Sequence, residues 1–267
     1  MFESVSFQTL LAPQLDWYSW LGLAIASVLA GFIDATVGGG GMVIVPTLFT
    51  LLPNEGIGTL LGTNKISGLG GTSMSAYQYI RRVPIQWRLV LPSAMAALMA
   101  GIIGAASVSL VPVVLFKKGL PFVLLILLTY VLYNKKLGLT PTHKPNMHWG
   151  LGVLFGAVCG LYDGFFGPGT GSFLVLLWVL VYGQDFIQAS AHAKIVNMGC
   201  NLGALAWFLP TTTVFIGLGL FMMVGNMAGA WFGTRFAIKH GNLFMRKLLI
   251  VVVGALALKT FYDAFLK

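Results

Sequence analysis

The sequence predicts an all-α polytopic membrane protein made of two homologous halves arranged as inverted repeats. Hydrophobic residues fill 57% of the 267 positions and charged residues only 9%, whereas a water-soluble chain carries about a quarter charged residues. About eight apolar segments approach or reach the roughly 20 residues that a helix needs to cross hydrocarbon. Two glycine-rich stretches, 129 positions apart, break these segments at matching places in the two halves.

The duplication follows an ungapped offset of 129 positions, which aligns residues 31–42 with a second glycine-rich stretch at 160–172. The identical pairs under this offset include Gly31 and Gly160, Asp34 and Asp163, Gly38 and Gly167, Gly40 and Gly169, Lys65 and Lys194, and Gly104 and Gly233. We therefore expect one transmembrane domain over 1–267, with an internal repeat at 17–134 and 149–264. The polar, turn-rich segment 135–148 is the expected linker between the halves.

In the first half, the apolar pattern predicts helices at 17–37, 57–80, 89–110 and 112–133. Between the first two, four consecutive glycines at 38–41 give no helical preference. The apolar piece that follows, 42–52, is too short to cross the membrane as a helix. In the second half, the same plan predicts helices at 149–166, 172–182, 187–209, 214–238 and 243–266, with the break at 167–171.

The basic residues indicate the topology. If each half crosses the membrane an odd number of times, the halves are inverted and ten basic loop residues share one side against three on the other. The ten are Arg81, Arg82, Arg88, Lys135, Lys136, Lys144, Arg235, Lys239, Arg246 and Lys247, and the three are Lys117, Lys118 and Lys267. This is the expected positive-inside bias, and it puts the amino terminus outside. An odd count requires the glycine-broken segment either to cross partly unwound or to fold back as a re-entrant hairpin.

The two breaks predict a central binding site. Non-helical backbone at membrane depth is tolerated where it is buried in protein or lines a polar cavity, and paired breaks mark the substrate site of repeat-built transporters. Each break leads into the amino terminus of a short helix, which favours an anion. The alternative is that the glycines only pack closely spaced helices. On the binding hypothesis, Gly40→Val and Gly169→Val lower affinity with little change in expression, and Gly104→Ala is milder.

Lys65 and Lys194 are the strongest single candidates, because an ammonium inside the membrane costs at least about 2.5 kcal/mol. The alternative is a structural ion pair with Asp34 and Asp163, and both hypotheses hold if lysine binds the anion while aspartate balances charge or exchanges protons. His192 is a candidate for proton coupling or for a plain helix-to-helix hydrogen bond. The predicted substrate-binding residues are Gly38, Gly39, Gly40, Gly41, Met42, Thr63, Asn64, Lys65, Gly167, Gly169, Thr170, Gly171, Ser172, His192, Lys194, Asn197 and Asn201, and the predicted coupling or charge-balancing residues are Asp34, Asp163 and His192.

Three motifs carry a family resemblance. Gly38-Gly-Gly-Gly-Met-Val-Ile-Val-Pro46, Asp163-Gly-Phe-Phe-Gly-Pro-Gly-Thr-Gly-Ser172 and Ala191-His-Ala-Lys-Ile-Val-Asn197 resemble the TauE/SafE family of membrane transporters, most closely its YfcA branch. The resemblance covers residues 22–263. Members of this family are associated with moving sulfite, sulfonates and related small organic acids across the bacterial inner membrane. The resemblance therefore implies a multi-pass secondary transporter of a small anion in that membrane.

Other classes fit less well. An intramembrane enzyme needs a nucleophile with its base or a metal motif such as HExxH, and the sequence has neither. An anion channel is the alternative that stays open, since glycine-rich backbone also lines pores. The expected partners are a small anionic substrate and membrane lipid, with protons as the candidate coupling ion. We expect no cofactor, no metal and no nucleic acid, and the sequence leaves the oligomeric state open.

Overall fold

The computed structural model describes residue 13 and residues 15–109, 122, 125–126, 128–142 and 148–265. All regular structure in these ranges is helical. Several predicted features lie outside them, among them Lys117, Lys118, Lys144, Lys267 and most of the predicted helix 112–133, of which residues 122, 125–126 and 128–133 are described and helical.

The first half contains four described helices, α1 (Trp17–Val37), α2 (Gly41–Leu51), α3 (Ile57–Ile80) and α4 (Trp87–Ala106), and a 3₁₀ turn (Ser107–Ser109) follows α4. The bounds of α1 and α3 are those predicted, because the glycine break and the Leu-Pro-Asn-Glu-Gly loop are unambiguous helix ends. α4 begins two residues before its predicted start and ends four residues before its predicted end, and the 3₁₀ turn takes up the remainder.

The second half contains α5 (Trp149–Phe165), α6 (Thr170–Tyr182), α7 (Phe186–Thr211) and α8 (Ile216–Phe265). The sequence predicted two separate helices at 214–238 and 243–266. The structure likewise has two helices, which meet at Gly241, whose φ of 75° breaks the helical path within the predicted gap; we number the whole segment α8. Glycine takes this left-handed conformation without the steric cost that a Cβ adds. The starts of α6, α7 and α8 each fall 129 positions after those of α2, α3 and α4.

Both glycine breaks reverse the direction of the chain. α2 folds back along α1. A Cβ on Gly40, just before α2, would lie 2.7 Å from the Ala30 carbonyl oxygen of α1. At the other end, Leu48 and Leu52 belong to the same core cluster as Leu23 near the start of α1. α6 folds back along α5 in the same way. The hydroxyl of Tyr182 at the end of α6 donates to the carbonyl of His148, just before α5, at 3.1 Å. We call α1–α2 the first hairpin and α5–α6 the second hairpin.

The long helices α3 and α7, which match under the 129 offset, run antiparallel. A Cβ on Gly58 would contact Thr212, one on Gly62 would overlap Val214 and contact Phe208, and one on Gly68 would contact Asn201. Residue numbers therefore rise along one helix as they fall along the other.

Each hairpin packs against a helix of the other half. Gly152, Gly156, Gly160 and Gly164 follow one face of α5, and a Cβ on each of the last three would overlap backbone carbonyls of α4. α1 makes the matching contact with α8, where Gly229 faces the Val28 carbonyl. Small residues four apart let membrane helices approach to backbone contact. The two halves are therefore interlocked.

The predicted basic loops lie at one end of the molecule. The Gly138 carbonyl in the linker accepts from Phe186 N–H, and Asn242 at the α8 bend donates to the Leu139 carbonyl at 3.1 Å. Gln184 donates to Gln86 in the α3–α4 loop at 3.1 Å. Among the described residues, three helical stretches are long and apolar enough to cross a membrane by length and composition, namely Trp17–Val37, Trp87–Ala106 and Ile216–Tyr262.

Candidate functional site

The tips of the two hairpins meet inside the helical framework. The first tip is residues 34–42 and the second tip is residues 163–172. A Cβ on Gly171 would lie 2.6 Å from the Gly38 Cα, so the two backbones touch where neither residue has a side chain. Gly38, Gly167 and Gly169 have φ values of 73°, 92° and 90°, a region that glycine alone adopts readily.

A polar cavity of about 40 Å³ lies beside the touching tips. One water needs about 10–15 Å³ on this measure, so the cavity accommodates a few waters or one small ion. The lining residues are Asp34, Gly39, Gly40, Gly41, Ile44, Asn64, Lys65, Gly68, Thr72, Asp163, Gly167, Gly169, Thr170, Gly171, Asn197, Asn201 and Asn226.

Both intramembrane lysines are paired with aspartates, and each pair joins the two halves. Lys65 Nζ on α3 lies 2.5 Å from Asp163 Oδ2 in the second tip. Lys194 Nζ on α7 lies 2.9 Å from Asp34 Oδ2 in the first tip. The sequence predicted lysine–aspartate pairing as one of two hypotheses and left the partners open. The two pairs match under the 129 offset, because Lys65 corresponds to Lys194 and Asp163 corresponds to Asp34.

The two pairs differ in their surroundings. Lys65 and Asp163 both border the cavity, whereas Lys194 does not and its side chain is 0% exposed. Asp34 borders the cavity, is 15% exposed and also accepts from Gly39 N–H at 3.3 Å. An ammonium needs a counter-charge and hydrogen-bond acceptors when it is buried, and both lysines are nearly fully buried, because the side chain of Lys65 is only 3% exposed and that of Asp163 5%.

Two side-chain amides face the cavity with free hydrogen-bonding capacity. Asn64 on α3 and Asn197 on α7 are 8% and 6% exposed and line the cavity. Neither side chain has a hydrogen bond to the described part of the protein. Asn201 is different, because its Nδ2 donates to Thr72 and to the Asn197 carbonyl, both at 3.1 Å. Buried amides without partners are costly, so Asn64 and Asn197 are suited to a ligand or to ordered water.

His192 and Thr63 occupy matching positions outside the cavity. His192 Nε2 accepts from Gln86 N–H at 3.1 Å and its Nδ1 lies 2.8 Å from Gln184 Oε1. Thr63 Oγ1 accepts from Phe215 N–H at 3.1 Å, and Phe215 lies 129 positions after Gln86. Both side chains therefore accept a hydrogen bond from a backbone N–H that lies just before a helix of the opposite half.

The structure brings together most of the predicted site. Thirteen predicted residues line the cavity, and six do not, namely Gly38, Met42, Thr63, Ser172, His192 and Lys194. The sequence analysis did not single out Ile44, Gly68, Thr72 and Asn226. Gly68 and Thr72 follow Asn64 at intervals of four, and this helical spacing was the available signal. Asn226 lies within the small-residue stretch of α8, where packing was the simpler interpretation.

Gly40 in the first tip is required by the packing of the fold. A Cβ on Gly40 would lie 2.9 Å from Asp34 Cβ and would crowd the Ala30 carbonyl. Gly104→Ala would disturb packing, because a Cβ there would overlap the Leu161 backbone, so its expected milder effect on binding cannot be separated from an effect on the fold. Gly41 borders the cavity and is free of this problem, since its nearest neighbour would be Pro168 Cα at 3.5 Å.

A helical framework that encloses two facing hairpins with glycine-broken tips and a charged polar cavity is the arrangement expected of a multi-pass membrane transporter. The chain matches the family described as "Sulfite exporter TauE/SafE" over residues 23–260. It therefore belongs to the TauE/SafE family, as the three motifs indicated.

The relatives are also described as transporters. The chain is 35% identical over 243 residues to "Probable membrane transporter protein ORF9" of Sinorhizobium sp, a match that covers 90% of this chain and 92% of the relative. It is 32% identical over 235 residues to a probable membrane transporter protein of Haemophilus influenzae, covering 88% and 91%. It is 30% identical over 242 residues to YfcA of Escherichia coli K12, covering 91% and 89%. These descriptions agree with a multi-pass membrane transporter and not with an enzyme.

Proposed function

We propose that the protein is a secondary transporter that moves a small anion, such as sulfite, a sulfonate or a related small organic acid, across the bacterial inner membrane. The observation that carries the proposal is the cavity where the two glycine tips meet between the Lys65 and Lys194 pairs. The family description names sulfite export, which supports this substrate class. The cavity volume of about 40 Å³ favours an ion of a few heavy atoms.

The anion site in this proposal combines one charge with several neutral donors. Lys65 supplies the cation, and Asn64 and Asn197 supply amide N–H groups. α2 and α6 begin at the two tips, so their amino-terminal dipole ends lie beside the cavity. Gly39, Gly40, Gly41, Gly167, Gly169 and Gly171 let the ligand approach the main chain.

Charge balance supports proton coupling. Lys65 and Lys194 are matched by Asp34 and Asp163, so the site is neutral before the substrate enters. An added anion leaves one negative charge uncompensated in a medium of low dielectric, which is costly. Protonation of the cavity-lining Asp34 or Asp163 removes that charge. We therefore propose that a proton accompanies the anion through one of these carboxylates.

The inverted-repeat arrangement is part of the proposal. The antiparallel course of α3 and α7 supports it, as does the repeat of helix starts at the 129 offset. The hairpins leave each half with an odd number of membrane crossings when the predicted helix 112–133 is included. The basic end then faces the cytoplasm, and the amino terminus lies outside.

The function is tested by reconstitution. The purified protein in proteoliposomes is offered sulfite, thiosulfate, sulfonates and small carboxylates, with internal and external pH varied independently. We expect saturable uptake of one of these anions, counterflow with preloaded anion and acceleration by a pH gradient. Continuous conductance without saturation or counterflow would assign the protein to the channels, and absence of any anion flux would reject the proposal.

The orientation is tested by single cysteines at opposite ends, Lys239→Cys and Glu55→Cys, both at exposed positions. Cys159 and Cys200 are buried and give little background. In intact cells, an impermeant maleimide is expected to label position 55 and not position 239. Labelling of 239 alone would reverse the proposed orientation.

A further inference from the structure

Asn226 borders the cavity and carries an amide oxygen without a partner. The residue lies on α8 and is 3% exposed. Its Nδ2 donates to the Ser67 hydroxyl on α3 at 3.1 Å, whereas its Oδ1 is buried without a hydrogen bond to the described part of the protein. A buried acceptor without a donor is costly. A donor for this oxygen is therefore expected from within the cavity.

Two glycines make room for the Asn226 side chain and its backbone. A Cβ on Gly71 of α3 would overlap the Asn226 amide, and a Cβ on Gly31 of α1 would overlap the Asn226 carbonyl. The backbone of Asn226 is thus packed against α1, while its amide lies against α3 and is held by Ser67. The oxygen is fixed in place before a ligand enters, and such preorganisation favours a ligand that supplies the missing donor.

The sequence repeat provides an internal comparison for this contact. A Cβ on Gly160, the counterpart of Gly31, would overlap the Ala97 carbonyl, so the same approach of two backbones occurs in both halves. Under the 129 offset, the three residues around the amide have counterparts that are apolar and buried, namely Ala97 for Asn226, Val196 for Ser67 and Cys200 for Gly71. Apolar residues are therefore sufficient for this helix packing, and the polar pair of Asn226 and Ser67 needs another explanation.

We propose that Asn226 is a specificity-determining residue whose Oδ1 accepts a hydrogen bond from a hydroxyl group of the transported anion. This inference rests on the proposed transport function. In that proposal Lys65, Asn64 and Asn197 bind the charged oxygens of the anion, and Asn226 then recognises its hydroxyl. The ligand class is a small oxyanion that carries one hydroxyl, either on its acid group, as in hydrogensulfite, or on the adjacent carbon, as in glycolate.

The surroundings favour a hydroxyl over a charged donor. An ammonium group on the substrate would share the cavity with the Lys65 ammonium, and like charges repel strongly where water is scarce. The carboxylates of Asp34 and Asp163 are already paired with lysines, so neither offsets a second cation. The cavity volume of about 40 Å³ suits an acid group with a hydroxyl close to it. An ordered water is the alternative donor, and binding measurements distinguish it from a substrate hydroxyl.

The proposal is tested by calorimetric binding to the purified full-length protein in detergent micelles, with glycolate and acetate as the first pair of probes. These two carboxylates differ by one hydroxyl. In the unmodified protein, glycolate is expected to bind about tenfold more tightly than acetate, the effect of one hydrogen bond to a buried group. Asn226→Ala introduces the residue that the other half has at this place. This variant is expected to fold and to lose the preference, mainly because glycolate binds more weakly.

Sulfite is the second probe and distinguishes the two positions of the hydroxyl. In mildly acidic buffer much of it is hydrogensulfite, whereas in alkaline buffer it is the dianion, which has no hydroxyl. Asn226→Ala is expected to weaken sulfite binding several-fold in acidic buffer and not in alkaline buffer. An Asn226-dependent preference for glycolate alone would assign the hydroxyl to the adjacent carbon, and one for hydrogensulfite alone would assign it to the acid group. Absence of both preferences would overturn the inference.

Two further variants separate the acceptor from packing. Asn226→Asp keeps an oxygen acceptor and is expected to keep the preference for glycolate, although its negative charge weakens both probes. Loss of the preference in this variant would mean that the amide donates to the ligand, which overturns the acceptor role. The matched control is Thr234→Val. Thr234 is buried on α8 with a hydroxyl that has no partner among the described residues, and it does not line the cavity, so the preference is expected to stay unchanged.

Binding and transport fail separately. Equal binding of glycolate and acetate and of the two forms of sulfite would show that Asn226 binds water only. Equal weakening of all probes by Asn226→Ala would show that the amide serves packing. Either result overturns the inference and leaves the transport proposal intact. If the preference depends on Asn226 but no anion enters proteoliposomes, the binding role stands and the transport function fails.

Discussion

The two lysine–aspartate pairs come from one repeated sequence pattern, yet they stand in different surroundings. Lys65 and Asp163 both line the cavity, with side chains 3% and 5% exposed. Lys194 is sealed in protein, and only its partner Asp34 reaches the cavity. The two pairs therefore match in sequence, but one lysine lines the cavity and the other does not. Substituting one residue of each pair separately tests whether the two pairs differ in their contribution to stability and to binding.

The largest expected effect is that of Asp34→Asn, which leaves the Lys194 ammonium buried without its counter-charge. Removing one partner of a buried ion pair costs about 3–5 kcal/mol, so the thermal unfolding temperature in detergent should fall steeply. The double variant Asp34→Asn with Lys194→Met removes both charges and should recover most of the loss. Asp163→Asn is the matched comparison and should cost less, because Lys65 borders the cavity. Equal losses in the two single variants would contradict the distinction.

The next effect concerns affinity. Lys65→Met removes the cation from the cavity and should raise the Kd for the transported anion about 10- to 100-fold, the range for a lost charged hydrogen bond. The protein should remain monodisperse by size-exclusion chromatography. The Asp34→Asn, Lys194→Met pair provides the control, and its Kd should stay within a few-fold of the unmodified value. A loss of binding in that control as large as in Lys65→Met would show that both lysines act on the anion.

A smaller effect is expected at His192, where a substitution distinguishes a structural role from a role in proton coupling. Both ring nitrogens bind groups in the loops, so His192→Gln should lower stability by about 1–3 kcal/mol and leave the pH dependence of uptake unchanged. Thr63→Val removes the matching bond to Phe215 N–H and should lower stability without affecting that dependence either. A shifted pH profile for His192→Gln alone would restore the histidine as the coupling group.

The smallest effect is expected for Gly41→Ala, which adds one methyl group at the edge of the cavity. The new Cβ makes only ordinary contact with Pro168, so expression and thermal stability should be unchanged. Anion affinity should weaken a few-fold, because the methyl group narrows the approach to the main chain. Gly150→Ala is the control, since a Cβ there has open space. Unaltered affinity in Gly41→Ala would indicate that the first tip does not contact the ligand.

Much of the helical framework was predictable from local sequence. Uninterrupted apolar stretches, glycine runs and the turn residues of 52–56 mark the helix ends of α1 and α3 correctly. The break at Gly241 falls in the gap predicted between the helices 214–238 and 243–266. The sequence also left open whether the breaks cross or fold back, since four glycines permit either path and tertiary packing decides.

The sequence predicted many of the residues that line the cavity, but it did not predict how they are arranged. Charge inside an apolar segment identified Lys65, Lys194 and the aspartates, but spacing cannot tell which lysine meets which aspartate across two halves. Asn64 and Asn197 were included because they lie near the lysines.

The interlocking of the halves has a consequence for biosynthesis. Gly31 on α1 packs against the backbone of Asn226, a residue 195 positions later in the chain. The first hairpin therefore lacks its partner helix until most of the polypeptide has been synthesised. During that interval neither Asp34 nor Lys65 has its final partner, because Lys194 and Asp163 are also late in the chain. We therefore expect the incomplete hairpin to be sheltered from lipid until the second half is made.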